Sequence, residues 1–341
     1  AASPAHSKWV GFIYTAGFYC IEGAPRRNAG LGIDMTNTFS MKKKSKYKQS
    51  LLQRNDRFWG YAFVMPMLIG YSLFVLAPVV ATFVISLTDW SLIRAPKFIG
   101  LENYKALVAD DTFAASVMNT LYFTVLLLPA NLILCLALAS LMKDRFLGVG
   151  FFRTAIFTPV VTSVVVWGVV WKYILQTDNG IINILLRMVG VKGPQWLFST
   201  SLAIPVVAFV TLIKGLGMNM VILISAMNDV PQMYYEAANL DGANKWRQFR
   251  SITLPLIAPT IFLVIIMTVI GSLKVFGQIY NLTGGGPGNS SYVLVYYIYQ
   301  QAFQYYEFGY ASSVSAILFI IILILTLAQW NVRKRWIFHE G

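Results

Sequence analysis

The chain has 341 residues, of which 57% are apolar and 12% charged, with a formal net charge of +13. Soluble domains carry about 25% charged residues, so this composition excludes an ordinary soluble globule and indicates an all-α polytopic membrane protein. The positive charge is segregated along the chain rather than spread, which makes it a signal of topology and argues against a nucleic-acid partner.

Residues 1–57 read as an N-terminal extension and basic tail. Val10–Cys20 is an apolar run, too short to span a bilayer and of the length of a signal-peptide core, yet no small-x-small cleavage site follows it. Position 1 is Ala, and Met35 and Met41 are candidate starts, so the first 40 residues are expected to be poorly structured, interfacial or an upstream over-read, without a role. Six apolar segments follow, at about Trp59–Leu87, Val117–Leu141, Thr154–Leu175, Leu202–Ser225, Leu256–Val275 and Ala311–Trp330. Each has the ~20 residues that a ~30 Å hydrocarbon core requires. Residues 58–335 are therefore read as one transmembrane domain and 336–341 as a C-terminal tail. The basic clusters Lys42–Lys48 with Arg54 and Arg57, Lys143/Arg145/Arg153, Lys245/Arg247/Arg250 and Arg333–Arg335 hold 16 of the 27 basic residues and fall on one side of a six-span chain. The positive-inside bias makes that side, and both termini, cytoplasmic.

Within the spans Cys135 reads as a small core residue, and the two cysteines give no disulfide framework. His6 and His339 lie near the termini, which leaves histidine metal chemistry without a foothold. Lys214, in the fourth span, is the one deeply placed charge. Burying it costs about 2.5–3.5 kcal/mol on an insertion scale, so it is expected to face protein or water, either contacting a solute or capping a backbone carbonyl. Lys172 and Lys274 lie at span ends, where snorkelling is cheap. No Asp or Glu lies in the apolar cores, against the usual needs of ion-coupled carriers. Paired acids or histidines for acid–base chemistry are also missing from the spans, so an intramembrane enzyme is poorly supported. No G-x-x-x-x-G-K-[ST] loop occurs, so nucleotide binding by that route is not expected. Gly284–Gly288 reads as a turn after span five, and Tyr292, Tyr296, Tyr297, Tyr299, Tyr305, Tyr306 and Tyr310 as an interfacial aromatic belt.

Between spans four and five, residues 229–255 form a soluble-looking helix–turn–helix. Pro231–Glu236 can start a short helix, Asp241-Gly242 can turn the chain, and Asn244–Thr253 can form a second helix that Pro255 stops. Small Ala237 and Ala238 allow close approach, and Gly242 permits a corner that a side chain would obstruct. Glu236-Ala237-Ala238, Asp241-Gly242-Ala243 and Ile252-Thr253-Leu254-Pro255, with Phe249 and Pro259, resemble the cytoplasmic motif of binding-protein-dependent ABC importer permeases.

Phe98–Tyr104 with Asn119-Thr120, Asn281–Pro287, and Tyr297–Tyr299 with Phe303 and Gly309–Ser312 resemble the carbohydrate-uptake branch of that family. The resemblance covers about residues 58–335. The Thr-x-Gly-Gly-Pro turn at Thr283–Pro287 resembles the first of the two permeases in maltose-type importers, not the second.

The resemblance implies a type I importer fold with six transmembrane helices in a bacterial cytoplasmic membrane, paired with a different permease chain. It implies an extracytoplasmic solute-binding protein that delivers a sugar or oligosaccharide, docking on the outer segments Thr88–Ser116 and Gln278–Tyr310. It also implies an ATPase dimer that holds ATP and Mg, this chain having no cofactor or metal and no enzymatic activity of its own. Tyr235, Glu236, Ala237, Ala238, Leu240, Asp241, Gly242 and Ala243 would couple to that ATPase. Matching on Leu216-Gly217 and on Thr283–Gly285 brings Gly217, Met220, Thr268, Ser272 and Val275, with Lys214, to the solute path. Thr268, Ser272 and Val275 are spaced as one helix face, although apolar Val275 puts maltose itself in doubt and Ser272 can equally serve interhelix packing. A secondary carrier or channel that needs no ATPase is the alternative.

Overall fold

The computed structural model describes residues 51–144 and 146–336; the predicted signal-like run, the lysine cluster 42–48, Arg145 and the tail after Trp336 lie outside the described residues. Contacts group Val64–Gly341 into one compact unit and Ala1–Phe63 into another. The described part of the latter is the first half of helix α1 (Leu51–Tyr71), along which Phe58, Trp59 and Phe63 lie ring against ring.

Among the described residues, four helical stretches are long and apolar enough to cross a membrane: Phe58–Ile85, Asp111–Met142, Ala203–Asn228 and Phe308–Asn331. The other two predicted spans are not straight. Val149–Val161 and Val164–Ile174 meet at 105°, and Lys245–Leu256 and Ala258–Leu273 at 70°, so the count reaches six only when each bent pair is one span.

Proline explains most of the irregularity. In the first span, α1 passes through a π-helical turn, Ser72–Leu76, into α2 (Ala77–Ile85). Pro78 has no N–H to donate and its ring crowds the carbonyl four residues back, so the ladder widens and Ala77 donates to Ser72 instead. A two-residue strand pair, Thr88–Asp89 with Lys97–Phe98, and α3 (Glu102–Val108) then lead to α4 (Asp111–Met142). Asp110 caps α4, its Oδ1 accepting from the backbone N–H groups of Thr112 (2.8 Å) and Phe113 (3.3 Å).

The buried residues of α4 are Ser116, Thr120, Phe123, Leu127, Asn131, Cys135, Ala139 and Met142. They recur every three or four positions, so one stripe of a helix about 48 Å long faces the bundle. That stripe packs on α8 (Ala203–Asn228), the central helix, and on α12 (Ala258–Leu273). Cys135 is fully buried there, as expected. Between them in the chain come α5 (Val149–Val161), α6 (Val164–Ile174), α7 (Ile181–Met188), α9 (Gln232–Leu240), α10 (Lys245–Gln248) and α11 (Leu254–Leu256). After α12 come α13 (Gly277–Leu282), α14 (Leu294–Phe303) and the final span α15 (Phe308–Trp336).

The end of the bundle at the start of α4 is closed by long-range bonds. Asn119 Nδ2 donates to the carbonyls of Asn289 (2.9 Å) and Tyr292 (3.1 Å), and Leu294 N–H donates to Thr120 Oγ1 (2.9 Å). Two motifs some 170 residues apart therefore meet. Gly284–Gly288 turns the chain there, as expected. The tyrosines do not form a belt. Tyr292, Tyr296 and Tyr297 are buried and Tyr299 is half-buried, while Tyr305 and Tyr306 are exposed. Tyr296 and Tyr299 on α14, with Tyr292 just before it, pack ring against ring with one another or with Phe276 and Tyr280, because α14 lies on the bundle instead of beside it.

Tyr297 and Tyr310 both donate to Asp110 Oδ2, the latter at 2.8 Å. Burial opposes the charge on Asp110, but the bonds from Tyr297, Tyr310, Phe113 and Thr112 outweigh it and hold the carboxyl below its usual range. The Tyr297 phenol moves the other way, pushed up by burial and by its bond to that carboxylate.

Candidate functional site

The helix–turn–helix sits at the opposite end of the bundle, where α8 stops at Asn228. α9 begins one residue after Pro231 and runs to Leu240, four residues beyond the predicted start segment. Its end is a double-bonded cap. Ala243 N–H donates to the Ala238 carbonyl (2.9 Å) and Gly242 N–H to the Asn239 carbonyl (3.1 Å), with Gly242 at φ +72°. This is a Schellman motif, and it gives Asp241-Gly242-Ala243 a local physical reason. A Cβ at Gly242 would meet nothing within 4 Å. The expected steric obstruction within the chain is therefore absent, and the left-handed φ alone requires glycine.

Asn244 caps the next helix, accepting from Arg247 N–H at 2.8 Å. Gln248 Nε2 then ties the two helices together, donating to Asn239 Oδ1 (2.6 Å) and the Ala243 carbonyl (2.9 Å). Pro255 does not stop the second helix. α10 continues through a π-helical turn, Phe249–Thr253, into α11, and the 70° break falls at Ile257. Pro255 and Pro259, four residues apart, each remove a donor, so the ladder gives way just beyond the first proline and not at it.

The motif residues divide between two faces. Tyr235 and Ala238 turn inward: the Tyr235 hydroxyl pairs with Thr253 Oγ1 (2.8 Å), and Lys143 Nζ stands 4.4 Å from the ring centroid. Ala238, Asp241 and Ala243 line a cavity of ≈ 200 Å³ with Arg247, Gln248, Ser251 and Ile252. Glu236, Ala237 and Leu240 face away from the chain, Leu240 being 91% exposed. Met233, Ala237 and Leu240 lie at i, i+4 and i+7 on one face of α9, and Trp246 adds a further exposed apolar side chain, 69% accessible, across the turn.

The residues expected along a solute path are mostly committed within the chain. Gly217 and Met220 are buried on α8; a Cβ at Gly217 would come within 2.6 Å of the Ile156 carbonyl oxygen and 2.8 Å of Phe157 Cα. Thr268 Oγ1 accepts from Asn131 Nδ2 (2.9 Å) and donates to the Val264 carbonyl (2.7 Å). Ser272 Oγ bonds to Thr124 Oγ1 (2.9 Å) and the Val269 carbonyl (2.9 Å). Val275 is buried beyond the end of α12, so the expected three-residue helix face reduces to Thr268 and Ser272, both turned to α4. Lys214 Nζ donates to the carbonyls of Pro159 (2.9 Å) and Thr162 (2.5 Å).

Sequence reasoning missed Asn239, Asn244 and Gln248 in the loop. The spacing of Asn244 before a basic helical turn is a readable cap signal. It also missed Asn131 and Asn219, whose side chains meet at 3.3 Å and join α4, α8 and α12 through Thr268. Nothing local marks that cluster.

Residues 131–336 match the family described as binding-protein-dependent transport system inner membrane component. The chain is 32% identical to the lactose transport system permease protein LacF of Rhizobium radiobacter, over 84% of this chain and 97% of that protein. It is 30% identical to the trehalose/maltose transport system permease protein MalF of Thermococcus litoralis, over 86% and 98%. Its fold superimposes, with a TM-score of 0.76 at 21% identity, on a chain of the bacterial alginate ABC transporter crystallised with a pentasaccharide-bound periplasmic protein, covering 84% of this chain and 98% of that one. The architecture is thus the type I importer permease fold. This multi-pass membrane protein belongs to the family of binding-protein-dependent transport system inner membrane components.

Proposed function

We propose that this chain is one half of the translocation path of an ATP-driven sugar importer, paired with a second, different permease and moved by an ATPase dimer that binds the α9–α11 loop. The observation that carries this reading is the division of α9. Tyr235 fastens the helix through Thr253 and Lys143, while Met233, Ala237, Leu240 and Trp246 leave an apolar face uncovered at the end where α8 stops. Isolated apolar residues on a surface need no explanation, but a set on one helix face of a stapled, rigid loop fits a partner groove. ATP closure of the partner would then displace a helix that Gln248 and the Schellman cap hold as one piece.

The relatives named for lactose and for trehalose and maltose, and the alginate transporter, support a sugar or oligosaccharide as cargo, delivered by an extracytoplasmic binding protein. Thr268, Ser272, Gly217 and Met220 are proposed to act from inside the wall, setting how α12 and α5 lie against α4 and α8. The solute itself would meet the faces this chain shares with the second permease. In this reading the loop and both termini are cytoplasmic.

The test is reconstitution in proteoliposomes. Uptake of an oligosaccharide retained by the co-purified binding protein should require that protein, the ATPase and ATP together. Uptake by this chain alone would refute the reading in favour of a carrier or channel. Leu240→Asp should abolish ATPase association while leaving the thermal stability of the isolated chain unchanged; retained association would remove the loop from the coupling role.

A further inference from the structure

The bend between α5 and α6 leaves carbonyls without helical partners. Thr162 and Ser163 are extended (ψ 136° and 141°), so the ladder of α5 ends at Val161 with the carbonyls of its last turn open. The hydroxyl of Thr162 donates to the Thr158 carbonyl at 3.2 Å, and Ser163 caps the start of α6. The Pro159 and Thr162 carbonyls, one in the last turn and one in the joint, are both taken by Lys214 Nζ from α8. A cation at a helix C-terminus also meets the negative end of its dipole.

Lys214 does not act alone on α8. Trp167 Nε1, on the α6 arm, donates to the Val210 carbonyl at 3.0 Å. On the α5 arm, the missing side chain of Gly217 lets the backbone of Ile156 and Phe157 press against α8. Val210, Lys214 and Gly217 stand at i, i+4 and i+7, one stripe of α8. That single stripe holds the α6 arm, the elbow and the α5 arm in order. Fourteen residues further along the same straight helix, about 21 Å at 1.5 Å per residue, α8 ends at Asn228 and the loop begins.

We propose that Lys214 is a positioning residue that makes the bent span α5–α6 move as one body with α8, so that displacement of the loop reaches the elbow, and that it is not a solute contact. Two of its three donors are held by the carbonyls of the bend, which fixes the ammonium against the joint. The readout rests on the importer-permease reading above, and the experiment separates the two.

The assembled complex, with its co-purified permease and ATPase, is followed by amide hydrogen exchange, free and trapped with ATP and vanadate. In the wild type, trapping should alter exchange in both the loop (residues 228–243) and the elbow (156–166). In Lys214→Met the loop response should persist and the elbow response should vanish, with elbow amides exchanging about tenfold faster in both states. Lys214→Arg, which can still reach two carbonyls, should restore the elbow response. Trp167→Phe, which removes the neighbouring grip without touching the charge, should weaken it and serves if the Met variant does not assemble. An elbow response in Lys214→Met equal to that of the wild type overturns the proposal, and so does an undiminished response in Trp167→Phe. A wild-type complex in which trapping leaves the loop unchanged overturns the ATPase-coupling reading instead, and this proposal with it.

Discussion

The two ends of the bundle are built on opposite plans. Where α4 begins, groups from α4, the turn at 283–293, α14 and α15 bond to one another, and the tyrosine rings pack into a closed cluster. Where α8 ends, the loop is bonded mainly within itself, and its largest apolar side chains face outward. One end therefore has its stability built in, whereas the other is rigid locally yet unfinished, which is what a surface awaiting a partner requires. Substitutions at the closed end should lower the stability of the isolated chain, and those on the exposed outer face of the loop should not.

The largest effect is expected at Gly309, where a Cβ would lie 2.0 Å from the Thr88 carbonyl oxygen and 3.0 Å from Trp90 N. Both atoms are backbone and cannot step aside. Gly309→Val should cost about 3 kcal/mol or more, read as a large drop in unfolding temperature in detergent; a drop no greater than that of a surface control would break the comparison.

Asp110→Ala removes a helix cap and the acceptor of two tyrosines, for a loss of about 2 kcal/mol. Its pH dependence has a fixed sign. The folded carboxyl is held below its usual range, so its contribution is complete above the unfolded value and is lost as pH falls through the lower, folded one. Asp110→Asn should flatten that acid limb in a stability–pH series; an unchanged limb would assign it to another group.

Gly242→Ala should cost about 1 kcal/mol through its left-handed φ alone, since the space is open. Gly242→Trp should be no worse for the isolated chain, and any further loss of uptake in the assembled transporter measures the partner. The smallest effect belongs to Leu240→Ser and Trp246→Ser, within about 0.5 kcal/mol. A larger fall in unfolding temperature would mean that the outer face of α9 is packed on this chain after all.

Much of the loop was legible because its bonds are short-range. The Schellman cap at the expected Asp241-Gly242 turn links residues only five and three apart; the equally short bond from Arg247 to Asn244 was missed. The end of the second helix differs from the expectation because the ladder does not break at Pro255 itself but at Ile257, between two prolines that each lack an N–H. The tyrosines were misread for a different reason. A run of aromatic residues near a span end has the same composition whether it lies at the lipid boundary or folds back over the bundle. The choice rests on contacts with Asp110, 187 residues from Tyr297.

By itself the sequence determined the membrane class, six apolar segments, the sided placement of charge and the locally capped loop. Each follows from hydropathy or from hydrogen bonds spanning a few residues. The tertiary structure alone decided that spans three and five are bent, that the tyrosines close one end, and what Lys214 does. Its partners lie 55 and 52 residues away in a joint whose free carbonyls exist only once the helix has broken. No local pattern around Lys214 can announce an acceptor that is created by folding elsewhere.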